Sequence, residues 1–443
     1  MKRCTVIGIS DAREQWFEPR TLDIIKKGKV FSGGKRHHEI MHGFLPEDAV
    51  WIDITVPLSD VFEQYKEYDD IVIFASGDPL FYGFASTIQR EVPECEITVI
   101  PYFNSLQMLA HRMCLPYQDM HVVSLTGRPW DKFDEALING ESLIGCLTDK
   151  NKTPEAIWQR MLEYGYDNYD MTVGECLGNE ENERVTGPLT NSPLTPEGGS
   201  HPDNGACISI DNKNISNDNK TLSNDNKDYN SVHLTRTAAP FGGRGVFLSP
   251  NCIILRKTND KPRHFGIPES EFELLDGRAK MITKAPIRLV TLSALNIMNA
   301  RTFWDIGFCT GSVSIEAKLL CPSLHIESFE IRSECEEIIN KNMRRFGAPG
   351  INIHIGDFLS TDISGLPSPD AVFIGGHGGK LMEIVGKVLP HTNKNTRFVI
   401  NSVSSNSRDL AYESVKKFNL RIISDNRVAL DEHNPINIIT FAR

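Results

Sequence analysis

The sequence predicts an α/β protein built from two successive regions, and three observations support this. Short β-rich runs alternate with helix-like runs over residues 1–190 and again over residues 266–443, a pattern typical of sheets covered by helices. Residues 191–245 interrupt the pattern with a stretch rich in Asn, Asp, Ser, Pro and Gly. Residues 301–320 read as a strand ending in an acid, a small-residue turn and a helix, an arrangement that suits a nucleoside-containing cofactor.

The composition limits the classes of function that fit this chain. Its 443 residues suffice for two or three domains of about 150 residues each. The net charge of -11 argues against a sequence-independent nucleic-acid binder, which usually carries a basic surface. The ten cysteines form no C-x-x-C pair, no apolar signal follows Met1, and no apolar run is long enough to span a bilayer. We therefore expect a cytoplasmic protein with reduced cysteines, no metal site, and no nucleic-acid or membrane partner.

The elements of the N-terminal region follow from composition and helix-start signals. The strand candidates are residues 5–9, 71–75, 97–100, 121–125 and 142–147, and the helix candidates are residues 105–112 and 153–164. The second helix has Thr153 as an N-cap candidate and Pro154 at its first position. A strand at residues 251–256 follows the polar stretch, so we expect one domain over residues 1–258 with an insertion at residues 191–245.

The insertion contains a short repeat. Residues 215–221 are nearly repeated by residues 222–228, and each seven-residue unit has one recurring apolar residue. Because a coiled coil needs two apolar positions per heptad, the repeat predicts a low-complexity, mobile segment.

A polar linker at residues 259–265 precedes a second domain at residues 266–443. Its strand candidates are residues 302–306, 325–330, 352–355, 371–374 and 397–400, with a late pair near Arg421 and Ile436. Its helix candidates are residues 287–298, 312–320, 333–346, 380–388 and 407–418. Five strands with interleaved helices and a two-strand finish predict a doubly wound, Rossmann-like sheet with an antiparallel edge.

The turn at residues 305–311 resembles motif I of class I methyltransferases that use S-adenosylmethionine (SAM). The usual pattern there is acid-x-Gly-x-Gly-x-Gly. This chain has Cys309 at the middle glycine, and the remaining turn positions are Gly307, Phe308, Thr310 and Gly311. Because cysteine carries a Cβ, we expect its backbone to avoid glycine-only conformations. The resemblance implies SAM as the cofactor, bound at these five residues.

Two acids downstream agree with that cofactor. Glu330 ends the next strand about twenty residues after the turn, where a carboxylate can accept from both ribose hydroxyls. Gly356 and Asp357 follow the third strand, where Asp357 can bond an adenine amino group. A Rossmann dehydrogenase would show G-x-G-x-x-G at its first strand, and a solvated strand end is the competing interpretation of Glu330 alone.

Two more C-terminal segments narrow the substrate. Residues 280–288 and 371–379 resemble the cobalamin-pathway family that methylates precorrin-6B at carbon 15 and decarboxylates its acetate side chain. The resemblance implies that the segment containing Thr283 folds over the cofactor and that Gly375 belongs to a glycine-rich turn at the ligand-binding edge of the sheet.

Three other residues of these segments have two interpretations each. Lys284 and Arg288 either bind substrate carboxylates or lie on a solvated helix face. His377 is either a catalytic proton shuttle or a structural turn histidine.

The N-terminal region resembles a different methyltransferase class. Residues 71–83 form a strand that enters a Gly-Asp-Pro turn, similar to the signature of class III tetrapyrrole methyltransferases and of the branch that methylates carbon 5 of precorrin-7. Residues 31–38 match a Gly-Gly-Lys-Arg-His segment, and further family segments follow at residues 104–107, 124–128 and 147–149. The resemblance implies two α/β subdomains and cofactor contacts at Gly8, Gly77, Asp78, Pro79, Asn104 and Ser105.

Some N-terminal assignments have alternatives. The family's first strand enters a Gly-x-Gly-x-Gly turn, of which this chain keeps Gly8 alone. Asp78 is either a catalytic carboxylate or a cap for the next helix. Lys35 and Arg36 either bind substrate carboxylates or form a surface basic pair.

The order of the two resemblances is that of fused precorrin methyltransferases acting on carbons 5 and 15 with decarboxylation. The resemblance implies a precorrin or cobalt-precorrin substrate and a homo-oligomer, either dimer or tetramer. One alternative is a catalytic C-terminal half joined to an N-terminal substrate-holding or assembly module. The other is a SAM-dependent methyltransferase of another substrate, such as RNA.

Overall fold

The computed structural model describes residues 3–190, 247–278, 281–430 and 435–443, so the predicted insertion at residues 191–245 lies outside the described residues. The chain divides into two compact units. The first comprises Met1–Arg128, Ser142–Ile157 and Asn168–Asn259, and the second comprises Pro129–Glu141, Trp158–Asp167 and Asp260–Arg443. The boundaries of the two predicted domains remain a prediction.

The first unit begins with a parallel five-stranded sheet in the order β3-β2-β4-β1-β5. Its elements are β1 (Arg3–Ile9), α1 (Pro19–Lys27), β2 (Val30–Gly33), α2 (Lys35–Met41), β3 (Val50–Asp53), α3 (Leu58–Tyr65), β4 (Asp70–Ser76), α4 (Phe84–Glu91) and β5 (Glu96–Ile100). Strand β4 is buried from Ile71 to Ala75, as expected for a central strand with helices on its faces. The carboxyl ends of β1 and β4 therefore meet at one edge of this sheet.

A second, mixed sheet follows, in the order β6-β7-β10-β8-β9. The elements from here to the end of this sheet are α5 (Ser105–Arg112), β6 (His121–Ser124), α6 (Asp131–Asn139), β7 (Leu143–Leu147), α7 (Pro154–Glu163), β8 (Tyr169–Glu175), β9 (Arg184–Leu189) and β10 (Asn251–Lys257). Strand β10 lies between β7 and β8 and is antiparallel to both. The strand after the polar stretch thus occupies the centre of this sheet.

The second unit contains a seven-stranded sheet in the order β13-β12-β11-β14-β15-β17-β16. Its elements are α8 (Ala285–Ala294), β11 (Thr302–Ile306), α9 (Ser312–Leu320), β12 (His325–Glu330), α10 (Glu334–Phe346), β13 (Ile351–Ile355), β14 (Ala371–Ile374), α11 (Leu381–Val388), β15 (Arg397–Ser402), α12 (Ser405–Lys417), β16 (Arg421–Val428) and β17 (Ile436–Ala442). The first five strands are parallel, and β17 and β16 are antiparallel. This confirms the predicted doubly wound sheet with an antiparallel edge.

Strand β11 is the switch point of this sheet, because β12 and β14 lie on its opposite sides. Ligands of doubly wound sheets bind at the carboxyl ends of the strands at such a point.

Helix α10 supports the turn after β11. It has acids in its first turn and arginines in its last, and Gly347, with a left-handed φ of 65°, caps its carboxyl end. Its buried Ile339 packs against Gly311.

Two features of the described residues bear on the composition-based expectations. None of the helices there is long and apolar enough to cross a membrane. The nine cysteines within the described ranges are free thiols.

Candidate functional site

A cavity of about 600 Å³ opens at the carboxyl ends of β11, β12 and β14 in the second unit. Its wall includes the turn after β11, the end of β12 and the glycine-rich turn after β14. Residues 281–284, which precede α8, complete the wall. The cavity therefore brings together the C-terminal segments that the sequence singles out.

The turn after β11 is held in left-handed backbone conformations. Gly307 has a φ of 83°, and a Cβ there would lie 2.6 Å from the Gly376 backbone nitrogen. Gly311 has a φ of 73° and packs against Ile339 rather than lining the cavity. Cys309 adopts a φ of 49°, which is uncommon for a residue with a Cβ but lies outside the glycine-only conformations. Residues with a Cβ can occupy the left-handed region when the surroundings hold them there.

Glu330 fastens this turn to the end of β12. Its Oε2 accepts from the Cys309 backbone N–H over 3.0 Å. Its Oε1 accepts from the Ile331 N–H over 2.9 Å and from the Arg332 guanidinium over 3.0 Å. The side chain is 3% exposed and lines the cavity. The Arg332 backbone N–H also donates to Oε1, over 3.1 Å, so Oε1 has three donors and Oε2 has one. Because a carboxylate oxygen has about two acceptor positions, Oε2 keeps capacity for a ligand hydroxyl.

Asp305 places a second carboxylate beneath the turn. It is fully buried, and its Oδ2 accepts from Ser314 Oγ over 2.6 Å. Among the described residues, no side chain or backbone group bonds its Oδ1. Burial raises the pKa of Asp305 to about 7, with a smaller contribution from the charge of Glu330. A buried, unpaired oxygen at a cavity wall is a natural partner for a ligand donor.

Gly356 and Asp357 also line the cavity. The Asp357 carboxylate accepts from the Leu359 N–H over 3.0 Å and from the Lys380 ammonium over 3.3 Å. These two bonds hold the pKa of Asp357 below its usual range, the backbone bond contributing most. The group is therefore an ionised acceptor, as bonding an adenine amino group requires.

The turn after β14 carries Gly375 and His377, which both line the cavity. The Gly375 N–H donates to the Ile306 carbonyl over 2.9 Å. The Gly379 N–H donates to His377 Nδ1 over 3.1 Å, and His377 Nε2 lies 3.0 Å from Ser407 Oγ. Burial lowers the pKa of His377. Both ring nitrogens thus have protein partners, which favours the turn-histidine interpretation over the proton shuttle.

The structure corrects the substrate-binding role expected for Arg288. Its guanidinium is 0% exposed and donates to Glu316 Oε2 over 2.5 Å, to the Thr283 carbonyl over 2.7 Å, and to the Ile267 carbonyl. An arginine with these partners cannot reach a substrate carboxylate. Arg288 instead anchors Thr283, which lines the cavity together with Lys284.

A second cavity, of about 450 Å³, lies within the first unit. Its wall includes residues after β1 and β4, the start of α5, and residues of β8 and β10. Asn104 and Ser105 line it, and Asn104 forms a capping box with Gln107 at the first turn of α5. Two partly exposed aromatic rings, Tyr82 and Phe103, also line this cavity.

The glycine turns of the first unit pack closely. A Cβ on Gly8 would overlap the Gly77 carbonyl oxygen. Gly77 has a φ of 64° and lines the cavity, whereas Gly8 packs against Gly77 and is not part of the cavity wall. Asp78 and Pro79 are also outside the cavity wall. Asp78 accepts from the Leu80 N–H over 2.9 Å, so it caps the turn itself and not the helix that follows.

The basic pair separates in the structure. Lys35 is exposed and lies outside the residues that line the cavity, while Arg36 lines it. Arg36 pairs with Asp11 over 3.2 Å and donates to Ser76 Oγ over 3.1 Å. Asp11, Ser76 and the neighbouring His37 also line this cavity and were not predicted as site residues, although the matched Gly-Gly-Lys-Arg-His segment contains His37.

Both halves of the chain match known families. Residues 2–192 match Tetrapyrrole (Corrin/Porphyrin) Methylases, and residues 275–438 match Precorrin methyltransferase domain. The chain is 29% identical to a precorrin-6Y C(5,15)-methyltransferase [decarboxylating] of a Sinorhizobium species. The aligned region has 402 residues and covers 90% of this chain and 84% of that protein.

Two further relatives are similar to the separate halves. A probable cobalt-precorrin-6B C(15)-methyltransferase (decarboxylating) of Thermoplasma volcanium is 34% identical over 158 residues, 35% of this chain and 77% of that protein. A cobalt-precorrin-7 C(5)-methyltransferase of Salmonella typhimurium is 30% identical over 182 residues, 41% of this chain and 88% of that protein.

The two folds, their cavities and these matches define a protein with two SAM-dependent methyltransferase domains. The residues at the C-terminal cavity fit SAM, because two carboxylate oxygens of its wall, Glu330 Oε2 and the buried Asp305 Oδ1, keep unused acceptor positions. The chain belongs to the precorrin-6Y C(5,15)-methyltransferase (decarboxylating) family.

Proposed function

We propose that the chain methylates carbons 5 and 15 of precorrin-6Y, or of its cobalt form, and decarboxylates the ring C acetate in cobalamin biosynthesis. The C-terminal half acts on carbon 15 and the N-terminal half on carbon 5, in line with the relatives that resemble each half. The observation that carries the proposal is the C-terminal cavity at the switch point, where the buried carboxylate of Glu330 adjoins the left-handed turn.

SAM, when bound, supplies a methyl group attached to a positively charged sulfur. In the C-terminal cavity, Glu330 would hold the ribose hydroxyls and Asp357 the adenine amino group. Thr283 and Gly375 would close the opposite walls. Because methyl transfer is an in-line displacement, the protein acts mainly by alignment and by excluding water. The buried Phe308 and Phe329 of the cavity wall suit that task.

The N-terminal half has a cavity of its own, and this favours two active sites over an inactive substrate-holding module. Gly77, Asn104 and Ser105 would contact SAM there, and Arg36 would contact the substrate. Lys284 plays the corresponding substrate-binding role in the C-terminal cavity. A homo-oligomer and a cytoplasmic location remain predictions from the sequence, and no observation favours an RNA substrate.

The full-length protein, incubated with SAM and precorrin-6Y, tests this function by mass spectrometry of the product. We expect the gain of two methyl groups and the loss of one carbon dioxide. One added methyl group with decarboxylation would support the alternative in which the C-terminal half alone is catalytic. An unchanged substrate, with the cobalt form also unchanged, would refute both.

A further inference from the structure

Two basic side chains converge on one hydroxyl in the wall of the N-terminal cavity. Arg36 Nη2 donates to Ser76 Oγ over 3.1 Å, and His37 Nε2 lies 2.9 Å from the same oxygen. All three residues line the cavity. Ser76 is the last residue of β4, and its side chain is exposed at the ligand-binding edge of the sheet.

The second nitrogen of His37 fixes where its proton resides. The Gly34 backbone N–H donates to Nδ1 over 3.3 Å, so Nδ1 is an acceptor. A neutral imidazole with an accepting Nδ1 carries its proton on Nε2. Burial lowers the pKa of His37 to about 4, with a further contribution from the charge of Arg36 and an opposing one from a hydrogen bond to the Phe74 backbone. The ring is therefore neutral near pH 7 and carries its hydrogen on Nε2, on the side that faces Ser76 and the Phe74 backbone.

This proton arrangement leaves the Ser76 hydroxyl hydrogen unused. A serine oxygen can accept two hydrogen bonds and donate one. Arg36 and His37 both approach the oxygen as donors, so neither can receive its hydrogen. The O–H is then directed away from Arg36 and His37, and the exposed side of Ser76 faces the cavity.

The guanidinium beside Ser76 indicates what kind of acceptor this O–H would meet. The ion pair with Asp11, at 3.2 Å, holds the Arg36 guanidinium in place, and the arginine side chain is still 41% exposed. A fixed hydroxyl donor next to a partly exposed guanidinium is a favourable environment for a carboxylate, because hydrogen bonds to charged acceptors are the stronger ones.

We propose that Ser76 binds a ligand carboxylate through its O–H in the N-terminal site, and that His37 is the positioning residue that orients this hydroxyl. The inference rests on the proposed function, which supplies two carboxylate sources: the methionyl part of SAM and the acid side chains of the precorrin. In both cases Ser76 sets affinity, and it takes no part in the proton transfers of the reaction.

The test compares Ser76→Ala with Ser76→Thr in the full-length protein, using Ser86→Ala, at an exposed position of α4, as the matched control. Methylation of carbon 5 is followed while the concentration of SAM or of precorrin-6Y is varied. We expect Ser76→Ala to raise one KM about 10- to 100-fold with kcat within about threefold, and Ser76→Thr to restore most of the affinity. A raised KM for the precorrin assigns the carboxylate to the substrate, and a raised KM for SAM assigns it to the methionyl group.

Two results would overturn the inference in distinguishable ways. If the wild-type protein methylates carbon 5 and Ser76→Ala leaves both KM values unchanged, the inference alone fails. If the wild-type protein adds no methyl group at carbon 5, the proposed function of this half fails with it.

His37 has its own readout. His37→Gln keeps a donor near the Nε2 position and should retain the wild-type KM, whereas His37→Ala should raise the same KM as Ser76→Ala does. Because His37 is already neutral, its titration should not change the KM that Ser76→Ala raises, when that KM is measured for the wild-type protein between pH 6 and about 8. A step in that KM near pH 6.5 that disappears in His37→Gln would show a titrating imidazole and contradict the proposed proton arrangement.

Discussion

The first turn after the first strand is built differently in the two halves. In the C-terminal half, left-handed backbone at Gly307, Cys309 and Gly311 bends the chain, and the Cys309 N–H is fastened to Glu330. In the N-terminal half, Gly8 is followed by a loop that side chains hold together. Gln15 spans that loop, donating to the Ala12 carbonyl over 2.5 Å and to Ser10 Oγ over 3.0 Å. Side-chain bonds can therefore hold a loop at a position where the related family uses a run of glycines.

The two cavities nevertheless share one device. His37 and His377 each accept a backbone N–H at Nδ1 and face a serine hydroxyl with Nε2. Burial lowers the pKa of both rings. The difference is in the serine: Ser76 lines its cavity, whereas Ser407 is outside the wall of the other. The same imidazole arrangement thus positions a ligand contact in one half and stabilises a turn in the other.

Adding a methyl group to one glycine in each half should separate the two activities and produce the largest effects. Gly8→Ala places a Cβ on the Gly77 carbonyl, and Gly307→Ala places one 2.6 Å from the Gly376 nitrogen. Because a shift of about 1 Å at a site can cost on the order of 100-fold in rate, we expect that loss for methylation of carbon 5 or of carbon 15, respectively. Product mass spectrometry with each variant measures both activities.

The controls for these substitutions are Gly43→Ala and Gly365→Ala, where an added Cβ meets no atom within 4 Å. Both should keep wild-type activity. Loss of both methylations in Gly8→Ala, with the protein still folded, would contradict two independent sites.

Glu330→Gln removes the charge that the C-terminal cavity presents to a ribose. Its carboxylate also accepts three backbone N–H groups, from Cys309, Ile331 and Arg332. Since a hydrogen bond to a charged group contributes about 1.5–3 kcal/mol, SAM should bind the C-terminal site about 10- to 100-fold more weakly. Calorimetric titration of the full-length protein measures this affinity. Glu334→Gln, at an exposed position of α10, is the control and should bind normally.

Asp305 predicts a pH dependence of stability that is confined to the C-terminal half. Burial raises its pKa to about 7, so the folded protein holds this proton to higher pH than the unfolded chain, which releases it near pH 4. The folded state binds more protons in that window, and its stability therefore falls as pH rises from about 4 to 7. Asp305→Asn should flatten this part of the melting temperature profile. A profile identical to that of the wild-type protein would contradict the assignment.

His377→Gln should have the smallest effect. The glutamine amide can still donate to Ser407, and the lost acceptor for the Gly379 N–H costs about 1 kcal/mol of stability. We expect methylation of carbon 15 to fall less than about tenfold. A decrease of about 100- to 10,000-fold, typical of losing a general acid or base, would restore the proton-shuttle interpretation.

Strands of the second unit could be predicted from the sequence to the residue. Strands β11, β12 and β14 match the predicted residues 302–306, 325–330 and 371–374. Strands β11 and β14 are mostly apolar, buried runs that stop at a glycine, and β12 is a buried run that stops at the acid Glu330. In the first unit β2, β3, β8 and β9 were not predicted. Strand β9 contains Gly187 and Pro188, which are turn signals in isolation and are overridden by pairing with β8.

The site was predictable where it follows chain order and not where it depends on packing. Turn residues and strand ends are local, so Gly307 and Glu330 could be assigned from spacing. The burial of Arg288 depends on Glu316, which is brought to it by a different helix. Likewise, His37 and Ser76 are 39 residues apart and meet only because β2 pairs with β4. No local pattern in the sequence encodes such pairs.

The stoichiometry of SAM binding to the full-length protein tests the central claim most directly. Calorimetric titration should give two SAM molecules per chain for the wild-type protein. For Glu330→Gln it should give one SAM molecule per chain, at SAM concentrations that saturate the N-terminal site but not the weakened C-terminal site. One molecule per chain in the wild-type protein, and none in Glu330→Gln under the same conditions, would contradict the account of two separate cofactor sites.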